Sequence, residues 1–141
     1  MYIKQISVFI ENRHGRLTEF TNLLGENNID LIALSIADTT NFGILRAIVS
    51  DNDKALSVIR AQGYTANLTE VLAVAVPDVP GGLSGVLALL RDNDISIEYL
   101  YSFVRRVGND AIIIFRVDQP EKAGCVLKGN GIKLLEQDEI A

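Results

Sequence analysis

Few side chains in this 141-residue chain could do chemistry, and their spacing decides what kind. There is one His, His14, and one Cys, Cys125. A single Cys excludes an internal disulfide, and a single His leaves the usual zinc ligand sets short within one chain, so no structural metal is expected. Cys125 reads as a core position of a helix, where a thiol acts as a small apolar residue, and nothing in its neighbourhood marks it as activated. Asp51 with Asp53 and Asp92 with Asp94 resemble carboxylate pairs. The first pair stands at a helix start and the second in a turn, however, and in both places such residues serve as caps. No stretch, Gly81-Gly82 included, completes a phosphate-binding P-loop or a dinucleotide fingerprint. No catalytic residue and no cofactor are expected.

What remains is a pair of short polar loops. Val8-Phe9-Ile10-Glu11-Asn12-Arg13-His14-Gly15-Arg16-Leu17 has a second copy at Val74-Ala75-Val76-Pro77-Asp78-Val79-Pro80-Gly81-Gly82-Leu83. In each, a run of β-branched and aromatic residues suits a buried strand, and the Leu after the Gly opens a helical spacing of apolar residues. A strand turning into a helix leaves unpaired N–H groups beside the positive end of the helix dipole. That arrangement suits a carboxylate or another small anion. Gly15 and Gly81 are equally well explained as residues that permit a tight turn.

The elements that carry these loops are themselves duplicated. Placing each residue over the one 66 positions later matches Gly15 with Gly81, Leu17 with Leu83, Leu24 with Leu90, Asn27 with Asn93 and Ile29 with Ile95. After a two-residue insertion in the second hairpin the offset becomes 68, and Ile44 meets Ile112, Val49 meets Val117 and Gly63 meets Gly131. Two units follow, residues 1–70 and 71–141, each of a size at which pairing with a neighbour helps stability.

Within the first unit, Ile6, Val8 and Ile10 alternate with Gln5, Ser7 and Phe9 as in a strand. Leu17, Phe20, Leu23 and Leu24 then recur as in a helix of about three turns. Extended segments 29–36 and 43–49 flank a turn at Thr39-Thr40-Asn41, and Asp51 or Ser50 caps a second helix. A fourth strand, 64–70, runs into the second unit without a flexible linker. That unit repeats the plan, with a turn at Gly108-Asn109, a helix carrying Ala123, Val126 and Leu127, and a last strand from Ile132. The order strand, helix, strand, strand, helix, strand with right-handed crossovers gives an antiparallel sheet with both helices on one face. The fold class is α+β, two ferredoxin-like βαββαβ units.

Composition narrows the partners. The formal charge of −5 and pI near 4.8 would repel a phosphate backbone, and Arg105-Arg106 is the one adjacent basic pair that stands out, so no direct nucleic-acid partner is expected. No apolar run approaches the roughly 20 residues that span a bilayer, and the N-terminus starts directly with a strand-like pattern. A cytoplasmic protein with no membrane partner is expected.

The element order, the polar loop ending in Gly-x-Leu and the Asn-x-Ile that opens strand two resemble the ACT domain. The residues concerned are Asn12, Gly15, Leu17 and 27–29 in the first copy, and Asp78, Pro80, Gly81, Leu83 and 93–95 in the second. The resemblance covers essentially the whole chain as two tandem copies. The second fits the family's Asp-x-Pro-Gly-x-Leu pattern, whereas the first has His14 where Pro is usual. The resemblance implies a free amino acid bound where two such domains meet, contacted by the loop before the first helix and by the start of strand two of the neighbouring domain. Carried onto this chain, the contacts are Asn12, Arg13, His14, Gly15, Arg16, Leu17 and Asp30, and in the second copy Asp78, Val79, Pro80, Gly81, Gly82, Leu83 and Ser96.

An amino acid zwitterion needs N–H donors for its carboxylate and oxygens for its ammonium, which the helix N-terminus on one side and Asn12 and Asp30 on the other would supply. Plainer readings stand beside these: Asn12 as a turn former, Asp30 as a solvated acid, His14 as a surface residue, and Tyr99, Tyr101 and Phe103 as core or interface. The function expected is a non-catalytic, ligand-sensing regulatory protein and a homodimer, with an enzyme of amino acid metabolism as its possible partner. The alternative is a regulatory subunit of such an enzyme that acts mainly through a protein interface.

Overall fold

The chain alternates strand-formers and helix-formers in the order β1 (Ile3–Glu11), α1 (Arg16–Glu26), β2 (Leu31–Asp38), β3 (Phe42–Val49), α2 (Asn52–Ala61), β4 (Thr65–Pro77), α3 (Gly82–Asp92), β5 (Ile97–Ser102), β6 (Asp110–Val117), α4 (Pro120–Gly129), β7 (Leu134–Leu135) and α5 (Gln137–Ile140). The computed structural model describes residues 2–38, 42–103 and 108–140. The expected turn at Thr39-Thr40-Asn41 and the Arg105-Arg106 pair lie outside the described residues. Two compact units emerge, an N-terminal one over Lys4–Thr69 and a C-terminal one over residues 2–3 and 70–140, so that β4 contributes a segment to each.

Each unit is a βαββαβ sandwich. The N-terminal sheet runs β2-β3-β1-β4, and the C-terminal sheet runs β5-β6-β4-β7. Both orders place the first strand of the unit between its third and fourth, which the right-handed crossovers require. In the N-terminal unit Ile6, Val8 and Ile10 pack with Leu45, Ala47 and Val49 against Phe20 and Leu24 of α1 and Ala55 and Ile59 of α2. In the C-terminal unit Leu72, Val74 and Val76 join Phe115 and Val117 against Val86, Leu90, Ala123 and Leu127. The Phe20 and Tyr64 rings meet edge to face at 5.6 Å, closing the first core beneath α1.

The helix ends repeat as the elements do. Asn27 Nδ2 donates to Leu23 O at 2.8 Å and Asn93 Nδ2 donates to Leu89 O at 2.8 Å, while the next residues, Asn28 and Asp94, take left-handed backbone at φ 57°. The N–H of Ile29 then donates to Leu24 O at 2.9 Å. This bond ties Ile29 to the helix it follows, so β2 begins at Leu31 and not at Ile29 as the apolar pattern predicts. Asp51 caps α2, its Oδ1 accepting from the Lys54 N–H at 3.1 Å.

Two further differences follow from local geometry. The last strand is only Leu134–Leu135, because Ile132 is still bonded to Leu127 O at the end of α4 and a one-turn helix, α5, follows. Cys125 is exposed, not core, since α4 turns Ala123, Gly124 and Leu127 inward. Two residues past Ala123 is about 200° around a helix, the far side from the core.

Candidate functional site

The first loop is shaped by three backbone events. Where β1 ends, the Arg13 N–H donates to Glu11 O at 2.8 Å and folds the chain back on itself. The Arg16 N–H then donates to Arg13 O at 3.1 Å, and Gly15 takes φ 81°, a left-handed conformation that costs an L side chain about 1–2 kcal/mol. As N-cap, Gly15 has no side chain to accept from the first-turn N–H groups of Leu17 and Thr18, so these face outward at the positive end of the α1 dipole.

Beside this loop lies a hollow of about 150 Å³ lined by Ile10, Glu11, Asn12, Arg13, Leu17, Ile36 and Gly43. Strand register explains the convergence: Ile10 pairs with Gly43 and Glu11 with Phe42, while Ile36 and Asp38 of β2 pair with Leu45 and Gly43. The end of β1, the N-terminus of α1 and the mouth of the β2–β3 hairpin are therefore neighbours. Leu17 and Ile36 keep 40% and 45% of their surface exposed, a wet apolar wall. On the rim the Arg13 Nε and Glu11 Oε2 atoms are 3.7 Å apart, a cation and an anion side by side.

Of the first-copy residues expected at a site, Asn12, Arg13 and Leu17 line this hollow. His14 and Gly15 are exposed at its approach. Arg16 does not line the hollow but reaches its rim: its guanidinium lies 4.4 Å above the Tyr64 ring, bonds Glu19 at 2.8 Å and stands 3.8 Å from Glu11 Oε1. The Glu19 hydrogen bond raises the Arg16 pKa above its ordinary value. A larger depression of about 390 Å³ lies along that flank of α1, walled by Arg16, Glu19, Asn22, Leu23, Glu26, Gln62 and Tyr64; it shares no residue with the hollow.

Asp30 is not brought to the loop of its own unit. It precedes β2 at the opposite end of the sheet, on the order of 25 Å from the hairpin mouth at the rise of a strand. There its N–H donates to Ser50 Oγ at 3.0 Å and its carbonyl accepts from the Ser50 N–H at 3.1 Å. Ser96 has the same place in the C-terminal unit, with the Ser96 N–H donating to Asp118 Oδ1 at 2.9 Å and the Asp118 N–H donating to Ser96 O at 3.1 Å.

The second loop repeats the backbone of the first. Gly81 takes φ 84° and the Gly82 N–H donates to Val79 O at 3.0 Å. Asp78 and Pro80 are exposed, Gly82 and Leu83 are half-buried. Gly82 carries a constraint the first copy lacks: a Cβ there would drive into the carbonyl oxygen of Pro77.

The profile of the ACT domain pair matches residues 1–141. The chain belongs to that family. Protein BT0572 from Bacteroides thetaiotaomicron has a solved structure that superposes with a TM-score of 0.89 at 43% identity, covering 96% of this chain and 92% of that one. The regulatory subunit of aspartate kinase from Thermus thermophilus, in its ligand-free form, superposes at 0.63 with 16% identity over 89% of this chain and 91% of that one. The equivalent subunit from Thermus flavus gives 0.59 at 14% identity, over 89% and 90%. At these last identities the likeness is one of fold. Comparison with curated proteins gives no match.

ACT domain pairs are typical of amino-acid-sensing regulatory domains. Among the described residues of this pair, no three His, Cys, Asp or Glu side chains gather to hold a metal, and no helix is long and apolar enough to cross a membrane. Tyr101 and Phe103 are buried, and the Tyr99 and Tyr101 rings stack at 6.5 Å. Sequence reasoning missed Ile36 and Gly43, the far wall of the hollow. Gly43 had a signal: a glycine inside a strand pattern marks a close approach or a missing side chain.

Proposed function

We propose that this ACT domain pair is a non-catalytic sensor that binds a free amino acid at the loop before α1 and transmits occupancy to an enzyme of amino acid metabolism. The hollow beside Asn12, Arg13 and Leu17 carries the reading. Its helix terminus offers N–H groups to a carboxylate, its rim carries both charge signs, and hydrogen bonds to charged groups contribute roughly 1.5–3 kcal/mol each. In this reading His14, Gly15 and Arg16 shape the approach. Asp78, Pro80, Gly81, Gly82, Leu83 and Ser96 form the pseudo-symmetric counterpart.

A ligand held jointly by Asn12 and Asp30 needs that Asp30 from a second copy of the chain, since the two lie at opposite ends of one sheet. The reading therefore includes a homodimer. A thermal-shift screen against the twenty amino acids tests it: a ligand at a hundred times its dissociation constant adds about 2.7 kcal/mol. Asn12→Ala and Asp30→Ala should each abolish the shift in a folded protein. Retention of the shift by both variants would remove these residues from the site.

A second reading, a regulatory subunit working through its surface, is favoured by Phe9 and Phe42, which are 52% and 53% exposed. Both point to the face of the N-terminal sheet away from α1 and α2, because their neighbours Val8 and Ile10 fill the core. Co-purification of a larger enzyme, lost in Phe9→Ser, with no shift from any amino acid would select this reading.

A further inference from the structure

The two copies share a backbone but not a binding surface. Position by position, Glu11, Arg13, Ile36 and Gly43 of the first copy become Pro77, Val79, Ser102 and Ala111 in the second. The ladder confirms the last pairing, since Ile10 faces Gly43 as Val76 faces Ala111. The second copy thus lacks the Glu11 and Arg13 pair, the apolar Ile wall and the glycine floor, and carries the lone acid Asp78 where the first has Asn12. We infer that the first copy alone binds the ligand, and that the ligand is an amino acid with an apolar side chain of about the size of Val, Leu, Ile or Met, admitted because residue 43 has no side chain. This rests on the amino-acid-sensing reading and goes further by naming the ligand class and the residue that sets it.

Size and polarity both point this way. A volume of about 150 Å³ accepts a guest as large as benzene, and the hollow beside Leu17 has that volume with Ile10, Leu17 and Ile36 as its apolar walls. Leu17 and Ile36 stay wet until such a side chain covers them. The rim carries the Glu11 carboxylate, with Arg13 at 3.7 Å and Arg16 at 3.8 Å, and so offers both charge signs to the carboxylate and ammonium carried on the α-carbon of any amino acid. Specificity among amino acids must then come from the hollow.

A Cβ on residue 43 would stand 3.4 Å from Ile36 Cγ2 and 3.6 Å from Ile10 Cγ2, on the floor between the two walls. These are tolerable contacts, and the second copy already carries Ala at this place, so Gly43→Ala should fold. It removes the depth of about one methyl. Each methylene buried in an apolar site multiplies affinity roughly fourfold.

Isothermal titration calorimetry on the full chain with leucine, isoleucine, valine, methionine, alanine, serine, aspartate and lysine tests the inference. The expected result is one site per chain, with the four larger apolar ligands at least tenfold tighter than serine, aspartate or lysine. Gly43→Ala should weaken leucine about fourfold relative to alanine, and Ile36→Ser, which imports the second copy's residue at a half-exposed position, should weaken all four apolar ligands. Serine or lysine binding as tightly as leucine, a leucine-to-alanine ratio unmoved by Gly43→Ala, or two equal sites per chain would overturn the inference and leave the sensing reading standing. No heat with any of the eight, confirmed by no thermal shift with the full set of twenty, would overturn both.

Discussion

Gly82→Ala should be more damaging than replacement of Gly81 or Gly85, for a reason unrelated to backbone torsion. Gly82 opens α3, where Ala is ordinarily a better helix former by about 1 kcal/mol. Its Cα, however, is held against the end of β4: an added Cβ would overlap Pro77 O, lie 3.0 Å from Pro77 C and touch Pro77 Cβ at 3.5 Å. The obstacle is backbone, so no side-chain rotation relieves it. Either the loop over residues 78–81 or the first turn of α3 must move. Overpacking of this kind costs roughly 1–3 kcal/mol, and a rigid obstacle puts the net loss near the upper end, at about 2–3 kcal/mol.

Two controls separate this cause from others. Gly81→Ala meets nothing within 4 Å but forces an L side chain to φ 84°, a loss of about 1–2 kcal/mol. Gly85→Ala, inside α3 with open space around it, should gain roughly 0.5–1 kcal/mol. Urea unfolding of the four proteins should rank them Gly85→Ala, wild type, Gly81→Ala, Gly82→Ala, from most to least stable. Thermal midpoints should span on the order of 10 °C from first to last. If Gly82→Ala proves as stable as wild type, the close approach to Pro77 is wrong. The first copy, which carries Arg16 at the matching position, would then be the better guide to the second.

Two further outcomes bear on other parts of the chain. Asp51→Ala removes the bond to the Lys54 N–H and should lower the stability measured in urea by about 1 kcal/mol, with Asp51→Ser recovering most of it. Glu139 has its pKa lowered, first by the hydrogen bond from the Glu136 N–H and then by Lys133. A carboxylate whose folded pKa lies below its unfolded one stabilises above the ordinary carboxylate range and loses that contribution as pH falls through the folded value. Urea titrations between about pH 6 and pH 3 should therefore show a shallower acid-side decline for Glu139→Gln than for wild type, and an unchanged slope would dismiss the Glu139 contacts.

Much of the fold was legible because its signals are local. The doubled loop, the alternation of Ile6, Val8 and Ile10 and the helical recurrence of Phe20 and Leu24 each lie within one element, and the core confirms them. Asp51 was readable as a cap because the chemistry of a cap extends over three residues. The errors came where the outcome depends on what an element meets. Ile29 has the composition of a strand residue, yet its N–H was already claimed by Leu24 O. Cys125 sits among apolar neighbours in sequence, but helical phase, not neighbourhood, decides burial. The four residues of α5 are too few for any period to register, and the burial of Ile140 is what anchors them. For the hollow, Asn12, Arg13 and Leu17 fall within one short loop and the helix start that follows it, so a local window contains them. Ile36 and Gly43 reach them only through the register of β1 on β3 and of β3 on β2, which no local window contains.

That division also explains how the duplication could diverge. The loop is held by main-chain bonds that any residue can make: Arg16 N–H to Arg13 O and Glu19 N–H to Gly15 O in one copy, Gly82 N–H to Val79 O and Gly85 N–H to Gly81 O in the other. Only the left-handed glycine is fixed by stereochemistry, and both copies keep it. Side chains on the rim can therefore differ without unfolding the turn, and the first copy carries a charged Glu11 and Arg13 where the second carries an uncharged Pro77 and Val79. The Pro77 carbonyl lies so close that only Gly fits at residue 82, a steric constraint on the second loop. The first loop, with Arg16 at the same place and a wet apolar wall beside it, has surface still to bury. Giving the second copy the surface of the first would require the rim charges, the floor glycine and release of the Pro77 contact together.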